Sequence, residues 1–412
     1  MHVLAQHDAP SGSAFVLGTA RSEPRLIAQL DRDGAWDQRA LDAPTSCAAD
    51  RATCALDALD VAPLGDGYVW AISEQPAASG CRRLRLALSD QLLSPHFTGG
   101  EAPGSLFAGV HLDAAGCTGG GASDARVAAL GGAPTRDVLL TWRSDEPLTS
   151  DAACAAMSSE AAYAPQGAGY IAALNVSVPA DGYGLFSDER ESLHCLGRSA
   201  AAPSLVAAKR AVGYFVAFLE PERLRVQFVR AYGSGGVDAK VQERARLPLT
   251  ASDAARLTLS LSADETLLAA RWTAGDRAFL AAFDVSDDGA LHLRTRADVP
   301  TGGAVSAPVL LARVETGLLD WARYENDAGW LLMWLLGGAE ASQLMAARIS
   351  DRTGQALEAP AQVASGRLSM PLAAQVVSGA VYGFVRRDES KDASVRTELA
   401  LQSTECVAAA RP

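Results

Sequence analysis

The chain has 412 residues, a formal net charge of −12, 49% hydrophobic residues and 20% charged residues. That acidic balance argues against a nucleic-acid partner, since such binding relies on Lys and Arg neutralising phosphates. No stretch reaches the ~18 consecutive apolar residues of a membrane-spanning helix, so no transmembrane segment is expected.

In chain order, short apolar runs alternate with Gly- and Asp-rich turns. The first four runs are 2–7, 13–19, 25–30 and 35–41, with the turn Asp31-Arg-Asp33-Gly34 between the last two. The second run of each later unit repeats at a coarse interval. Starts at Gly12, Gly67, Asp137, Gly213, Leu267, Gly329 and Gly379 lead, five residues on, to Leu17, Ile72, Trp142, Phe218, Trp272, Trp334 and Phe384. The steps are 55, 70, 76, 54, 62 and 50 residues, a mean near 61. Self-similarity of this kind marks a repeat architecture. Tyr214–Phe218 and Trp330–Trp334 are apolar at every position, so both faces of these runs must be covered. Third runs are predicted at 25–30, 83–88, 169–174, 223–229, 277–284, 343–349 and 395–401. Several end in Asp/Gly turns suited to hairpins, such as Ser286–Gly289 and Ser350–Gly354.

Stacked four-stranded units with doubly buried middle strands resemble seven-bladed β-propellers. The resemblance covers the whole chain and rests on architecture, because no WD, kelch or YWTD signature is present. The fold class expected is all-β, a seven-bladed β-propeller of four-stranded antiparallel blades forming one domain over 1–412. The blades fall at about 1–43, 55–98, 124–187, 203–248, 254–299, 307–364 and 370–410. In the sixth, Val309–Val314 and Leu318–Tyr324 compete for the first strand. The ring closes either through Val3–Gln6 lent to the last blade or through Thr404–Ala409.

Seven cysteines form no C-x-x-C pair, which argues against structural zinc. Their polar, Gly-rich surroundings suit disulfides in an oxidising compartment. Cys47, Cys54, Cys117 and Cys195 are read in blade-to-blade loops, and Cys81 and Cys154 in second-to-third loops. Both loop types open on one face of a propeller. Fifteen pairings of six cysteines are open. Neighbourhood favours Cys47–Cys54, Cys81–Cys117 and Cys154–Cys195, leaving Cys406 over. High Ala and Arg usage points to a bacterium. The expected location is therefore the periplasm, cell surface or medium, with any export signal absent from this sequence.

Long loops on a rigid scaffold are where binding usually lives. The binding candidates are His111, Asp113, Asp145, Glu146, Tyr163 and His194. The six histidines form no HExxH, and adjacent acidic pairs such as Asp145–Glu146 do not by themselves flank a bond as glycosidase carboxyls must. No cofactor is expected. Calcium stays open at the Asp31–Gly34 turn, which lacks the later ligands of an EF-hand. The leading reading is a non-catalytic exported scaffold for a protein or glycan partner. The rivals are a polysaccharide hydrolase or lyase with an acidic site at the central channel, and a structural subunit of an envelope assembly.

Overall fold

Each repeated unit forms a meander of antiparallel strands, because short apolar runs separated by tight turns pair with their sequence neighbours. The computed structural model describes residues 2–9, 12–18, 24–31, 36–40, 54–64, 67–76, 83–89, 95–96, 122–131, 135–144, 169–179, 193–231, 241–249, 253–262, 264–306, 309–314, 329–337, 341–366, 368–369, 374–377, 380–388 and 397–403.

Seven antiparallel sheets follow in chain order. The first joins β1 (His2–Ala9), β2 (Gly12–Gly18), β3 (Pro24–Asp31) and β4 (Trp36–Ala40). The second joins β5 (Cys54–Leu64), β6 (Gly67–Pro76), β7 (Arg83–Ser89) and β8 (Pro95–His96). In the third are β9 (Ala122–Leu130), β10 (Thr135–Ser144), β11 (Gly169–Pro179) and β12 (Leu193–Ser199). The fourth holds β13 (Ser204–Ala208), β14 (Gly213–Glu220), β15 (Arg223–Arg230) and β16 (Val241–Pro248). Next come β17 (Ala255–Leu261), β18 (Leu267–Ala274), β19 (Arg277–Val285) and β20 (Leu291–Pro300). The sixth is β21 (Leu310–Val314), β22 (Gly329–Gly337), β23 (Ser342–Ser350) and β24 (Ala361–Gly366). In the seventh, β25 (Leu368–Ser369) and β26 (Ala374–Val377) pair with β27 (Ala380–Asp388), as does β28 (Thr397–Ser403).

First strands of neighbouring sheets meet, β1 with β5, β5 with β9, β9 with β13 and β13 with β17, and β21 meets β26, which shares the first-strand place beside β27 with β25. Sheets that stack through their first strands are the blades of a β-propeller, so the protein has the predicted fold class. Five of the seven predicted starts open a strand exactly where expected, at Gly12, Gly67, Gly213, Leu267 and Gly329. The first strand of blade six is β21, which settles it in favour of the segment near Val309–Val314; 318–324 lies outside the described residues. β1 is the first strand of its own sheet, so Val3–Gln6 is not an outer strand of the last blade. Thr404–Ala409 lies outside the described residues.

The core lies in the seams between blades. Four apolar clusters fill the seams between blades two and three, three and four, four and five, and five and six. The middle strands are buried on both faces: β18 is buried at every position, Arg271 and Thr273 included, and β14 at all but its last. Each seam also carries a polar pin. The Val127 amide donates to Asp60 Oδ2 at 2.9 Å, and the Tyr214 hydroxyl to Asp137 Oδ1 at 2.8 Å. The Leu259 amide donates to Ser204 Oγ at 2.8 Å, and Arg294 Nη2 lies 2.7 Å from Asp351 Oδ2.

Gly213 shows why a glycine suits the start of a second strand. A Cβ there would sit 2.4 Å from Phe228 Cζ and 2.6 Å from the Val229 carbonyl oxygen. Backbone cannot yield as a side chain can. Gly213→Ala is expected to lower stability by about 1–3 kcal/mol in urea unfolding. Gly303→Ala is the control, since its Cβ would meet only Leu336 at 3.9 Å. Equal midpoints for the two variants would refute the packing argument.

Candidate functional site at the loop-bearing edge of the third blade

The long connections 97–121 and 145–168 are both rooted on one edge of the third sheet. The first ends where β9 begins, and the second leaves β10 and returns at β11. The register brings these ends together: Ser144 pairs with Ala122 and with Tyr170, and Gly169 pairs with Ser199. The chain therefore leaves for blade four from the same edge.

Arg143 ties the edge together. Its Nε lies 3.0 Å from Asp124 Oδ2 and donates to Ser123 Oγ at 3.2 Å. Its Nη1 donates to the Ala200 carbonyl at 2.8 Å. One planar guanidinium thus reaches the start of β9 and the exit to blade four, a fork that Lys cannot reproduce. Gly169 leaves space for it, because a Cβ there would lie 2.5 Å from Arg143 Cγ. On the other face of the sheet, the Arg198 guanidinium stands 4.8 Å from the centroid of the buried Tyr170 ring. The edge therefore carries an ion pair, Arg143 with Asp124, at the roots of both long connections. Arg143→Ala is expected to cost about 1.5–3 kcal/mol, as hydrogen bonds to a charged group do. Arg143→Lys should recover less than half of that in the same urea titration; full recovery would mean that charge alone, not the fork, holds the edge.

Of the predicted binding residues, His111, Asp113, Asp145, Glu146 and Tyr163 lie outside the described residues, as do Cys47, Cys81, Cys117, Cys154 and Cys406. Asp145 and Glu146 follow directly on Ser144, the last residue of β10. The structure corrects the placement of His194 and Cys195. Both belong to β12, the fourth strand of blade three, which lies beyond the predicted blade end at 187. They are not in a blade-to-blade loop. Cys54 likewise opens β5 and is not a loop residue. The reason is length: β11 continues to Pro179, so the outer strand comes later than expected. Cys195 pairs with Ala172, is buried and is disulfide-bonded. Its partner is not among the described side chains, so Cys154–Cys195 remains an expectation.

Sequence reasoning missed Arg143, Asp124, Tyr170 and Arg198. Arg143 had one visible signal, a cation directly after the mostly apolar stretch Val138–Trp142.

Four buried carboxylates lie among the described residues, Asp60, Asp137, Glu265 and Asp351. Burial pushes the Asp60 carboxyl up to about 6, against the opposing pull of Arg126 and of the Val127 and Val61 amides. Asp137 holds the Tyr214 hydroxyl, which burial and then the Asp137 charge push well above its usual value. Asp351 accepts from Trp330 Nε1 at 2.8 Å as well as from Arg294. Glu265 accepts the Arg210 amide at 2.7 Å between blades four and five, so the four occupy four different seams. Among the described residues no group of three His, Cys, Asp or Glu side chains could hold a metal ion. No described helix is long and apolar enough to cross a membrane.

No protein-family model matches the chain, and no curated protein matches it. Solved structures similar to it include propellers. The Dos1 propeller is 12% identical, with 91% of this chain and 71% of that chain covered and a TM-score of 0.43. The periplasmic gluconolactonase PpgL of Pseudomonas aeruginosa is 11% identical, over 88% and 85%, with a TM-score of 0.43. The Cps50 (Swd1) β-propeller domain of Myceliophteria thermophila is 8% identical, over 93% of both chains, with a TM-score of 0.42.

Proposed function

We propose that this protein is an exported binding scaffold that engages a protein or glycan partner through the loop-bearing edge of its third blade. The observation that carries this reading is the convergence of connections 97–121 and 145–168 on one sheet edge, clamped by Arg143. Blades four and five supply the contrast, with turns of a few residues between their second and third strands, at 221–222 and 275–276. Elaboration on one part of a regular scaffold is how loops acquire binding roles. A hydrolase would need two carboxyls facing one opening. The four buried carboxylates described are each engaged in a separate seam, which supports the scaffold reading. Export fits a disulfide-bonded Cys195.

The test replaces 98–120 and 146–167, separately, with short Gly-Ser linkers that spare β9, β10 and β11. Glycan-array binding and affinity capture from envelope extracts are then compared with those of the parent chain. Loss of the same ligand from both variants, with thermal melts intact, is the expected result. Retention of that ligand by both folded variants overturns the proposal. Alkylation and intact mass of the parent protein test export independently: six protected thiols and one free are expected, whereas seven free thiols contradict it.

A further inference from the structure

The inner strands repeat one contact from blade to blade, and the seam between blades three and four reverses its chemistry. Asp60 on β5, Arg126 on β9 and Ser204 on β13 are equivalent residues. Each pairs with the fourth residue after its repeat start, at Ala71, Thr141 and Ala217. Val127, Leu205 and Leu259 each stand opposite the third, at Leu140, Val216 and Ala270. In two seams the first kind of residue accepts the amide of the second kind from the next blade. Asp60 Oδ2 accepts Val127 at 2.9 Å, and Ser204 Oγ accepts Leu259 at 2.8 Å. Between blades three and four the same two places hold Arg126 and the Leu205 amide.

Both of these are donors. In β14 the even-numbered residues bond to β15, since the Ala231 amide donates to the Val212 carbonyl and bonding alternates along a ladder. Val216 is therefore bonded to β15. The amide of its partner on β13, Leu205, leaves the sheet at the free edge, as the Val127 and Leu259 amides leave theirs. Arg126 is turned toward that edge. Ala125, Val127 and Ala129 pack into the seam with blade two, and Ala128 and Leu130 into the seam with blade four. Alternation along β9 thus puts Arg126 on the blade-four face. Its side chain is half-buried, and Nη1 donates to the Ala125 carbonyl of its own strand at 3.0 Å. That bond holds the guanidinium along the inner edge of β9 and leaves most of its five N–H groups for another acceptor.

A protein oxygen completes this contact in the two neighbouring seams; here the protein supplies a cation in its place. The inner strands surround the central channel of a propeller, from which a ligand oxygen can enter. We propose that Arg126 and the Leu205 amide form a binding site for the carboxylate of a small organic acid. One carboxylate oxygen accepts the Leu205 amide, as Asp60 accepts that of Val127, and the guanidinium holds the group through charge-assisted hydrogen bonds. A single negative charge suits the place. Asp60, attracted to Arg126 but turned to the Val127 amide, and Asp124, paired with Arg143, already put negative charge beside β9. A dianion such as phosphate is disfavoured there. This site goes beyond the loop-edge reading and does not rest on it.

Isothermal titration of the full chain with formate, acetate and lactate, and separately with inorganic phosphate, tests the site at constant ionic strength. Saturable binding of at least one carboxylate is expected, with phosphate weaker by about tenfold or more. Arg126→Ser copies Ser204 and offers the Leu205 amide a protein oxygen. It is expected to weaken the carboxylate by about tenfold or more while the melting temperature stays within about 2 °C of the parent, a combination that a merely structural arginine does not give. Three results overturn the proposal: no saturable carboxylate binding, phosphate bound as tightly as the carboxylate, or equal binding by Arg126→Ser. Should that variant not fold, a crystal structure of the parent chain grown with the tightest carboxylate decides. Carboxylate oxygens within about 2.7–3.2 Å of the Leu205 nitrogen and the Arg126 guanidinium support the site, and a carboxylate bound elsewhere overturns it.

Discussion

Trp272→Ala is expected to lower the unfolding free energy by about 3–5 kcal/mol, the cost of emptying a large, fully buried aromatic site. Trp272 is 1% exposed and sits five residues after the start of its repeat, where Trp142 and Trp334 occupy the corresponding places at 0%. It lies directly opposite Phe279 on the next strand, with ring centroids 5.3 Å apart and planes 4° from parallel. The two rings belong to the cluster that joins blades four and five, together with Phe215, Phe228, Leu257 and Leu268. Strands covered on both faces cannot collapse to fill the void without moving a neighbouring blade, which is why the upper part of the range applies. Leu293→Ala is the control, since Leu293 is 50% exposed on β20. Urea unfolding of both variants checks the claim. A Trp272→Ala midpoint matching that of Leu293→Ala would show that the seam is not the stabilising layer.

The same burial explains which parts of the fold could be read from sequence. Middle strands such as β14 and β22 face protein on both sides, so their sequences are nearly unbroken apolar runs, and β18 is broken only by Arg271 and Thr273. Outer strands face solvent on one side and carry weak signals. β16 reads Val-Gln-Glu-Arg-Ala-Arg-Leu-Pro with no position fully buried. β12 has its few apolar residues interrupted by His194 and Gly197, and its register against β11 shifts between Ile171 and Ala172. Without a clear period, Leu193–Ser199 was indistinguishable from loop. The Arg143 edge was illegible for another reason. Its partners Ser123 and Ala200 lie 20 and 57 residues away, and nothing local announces that a strand pairing will bring them together. The polar pins are equally non-local: Asp60 meets Val127 at a separation of 67, and Tyr214 meets Asp137 at 77.

Asp60 gives the largest expected pH effect. Its carboxyl is 8% exposed on β5 and accepts the Val127 amide from β9, so ionisation places a charge inside the seam between blades two and three. Burial raises its pKa from 3.8 to about 6. Between those two values the native state keeps a proton that the unfolded chain has released. Stability is therefore fully present below pH ~4, declines as pH rises through the window, and stays at its lower level above about 6. A shift of this size corresponds to about 3 kcal/mol. In Asp60→Asn the side-chain oxygen can still accept the Val127 amide, but nothing ionises. Its second amide hydrogen adds a donor that the carboxylate lacked, which shifts the whole curve by a constant. The diagnostic is thus the difference between the two curves, not the absolute stability of the variant. Asn is expected to gain on Asp by about 3 kcal/mol between pH 4 and pH 8, with most of the change before pH 7. Urea titrations at one-unit intervals measure it. Curves that run parallel would mean that Asp60 is not the titrating group in this seam. A gap that opened only above pH 8 would move the effect away from any carboxyl.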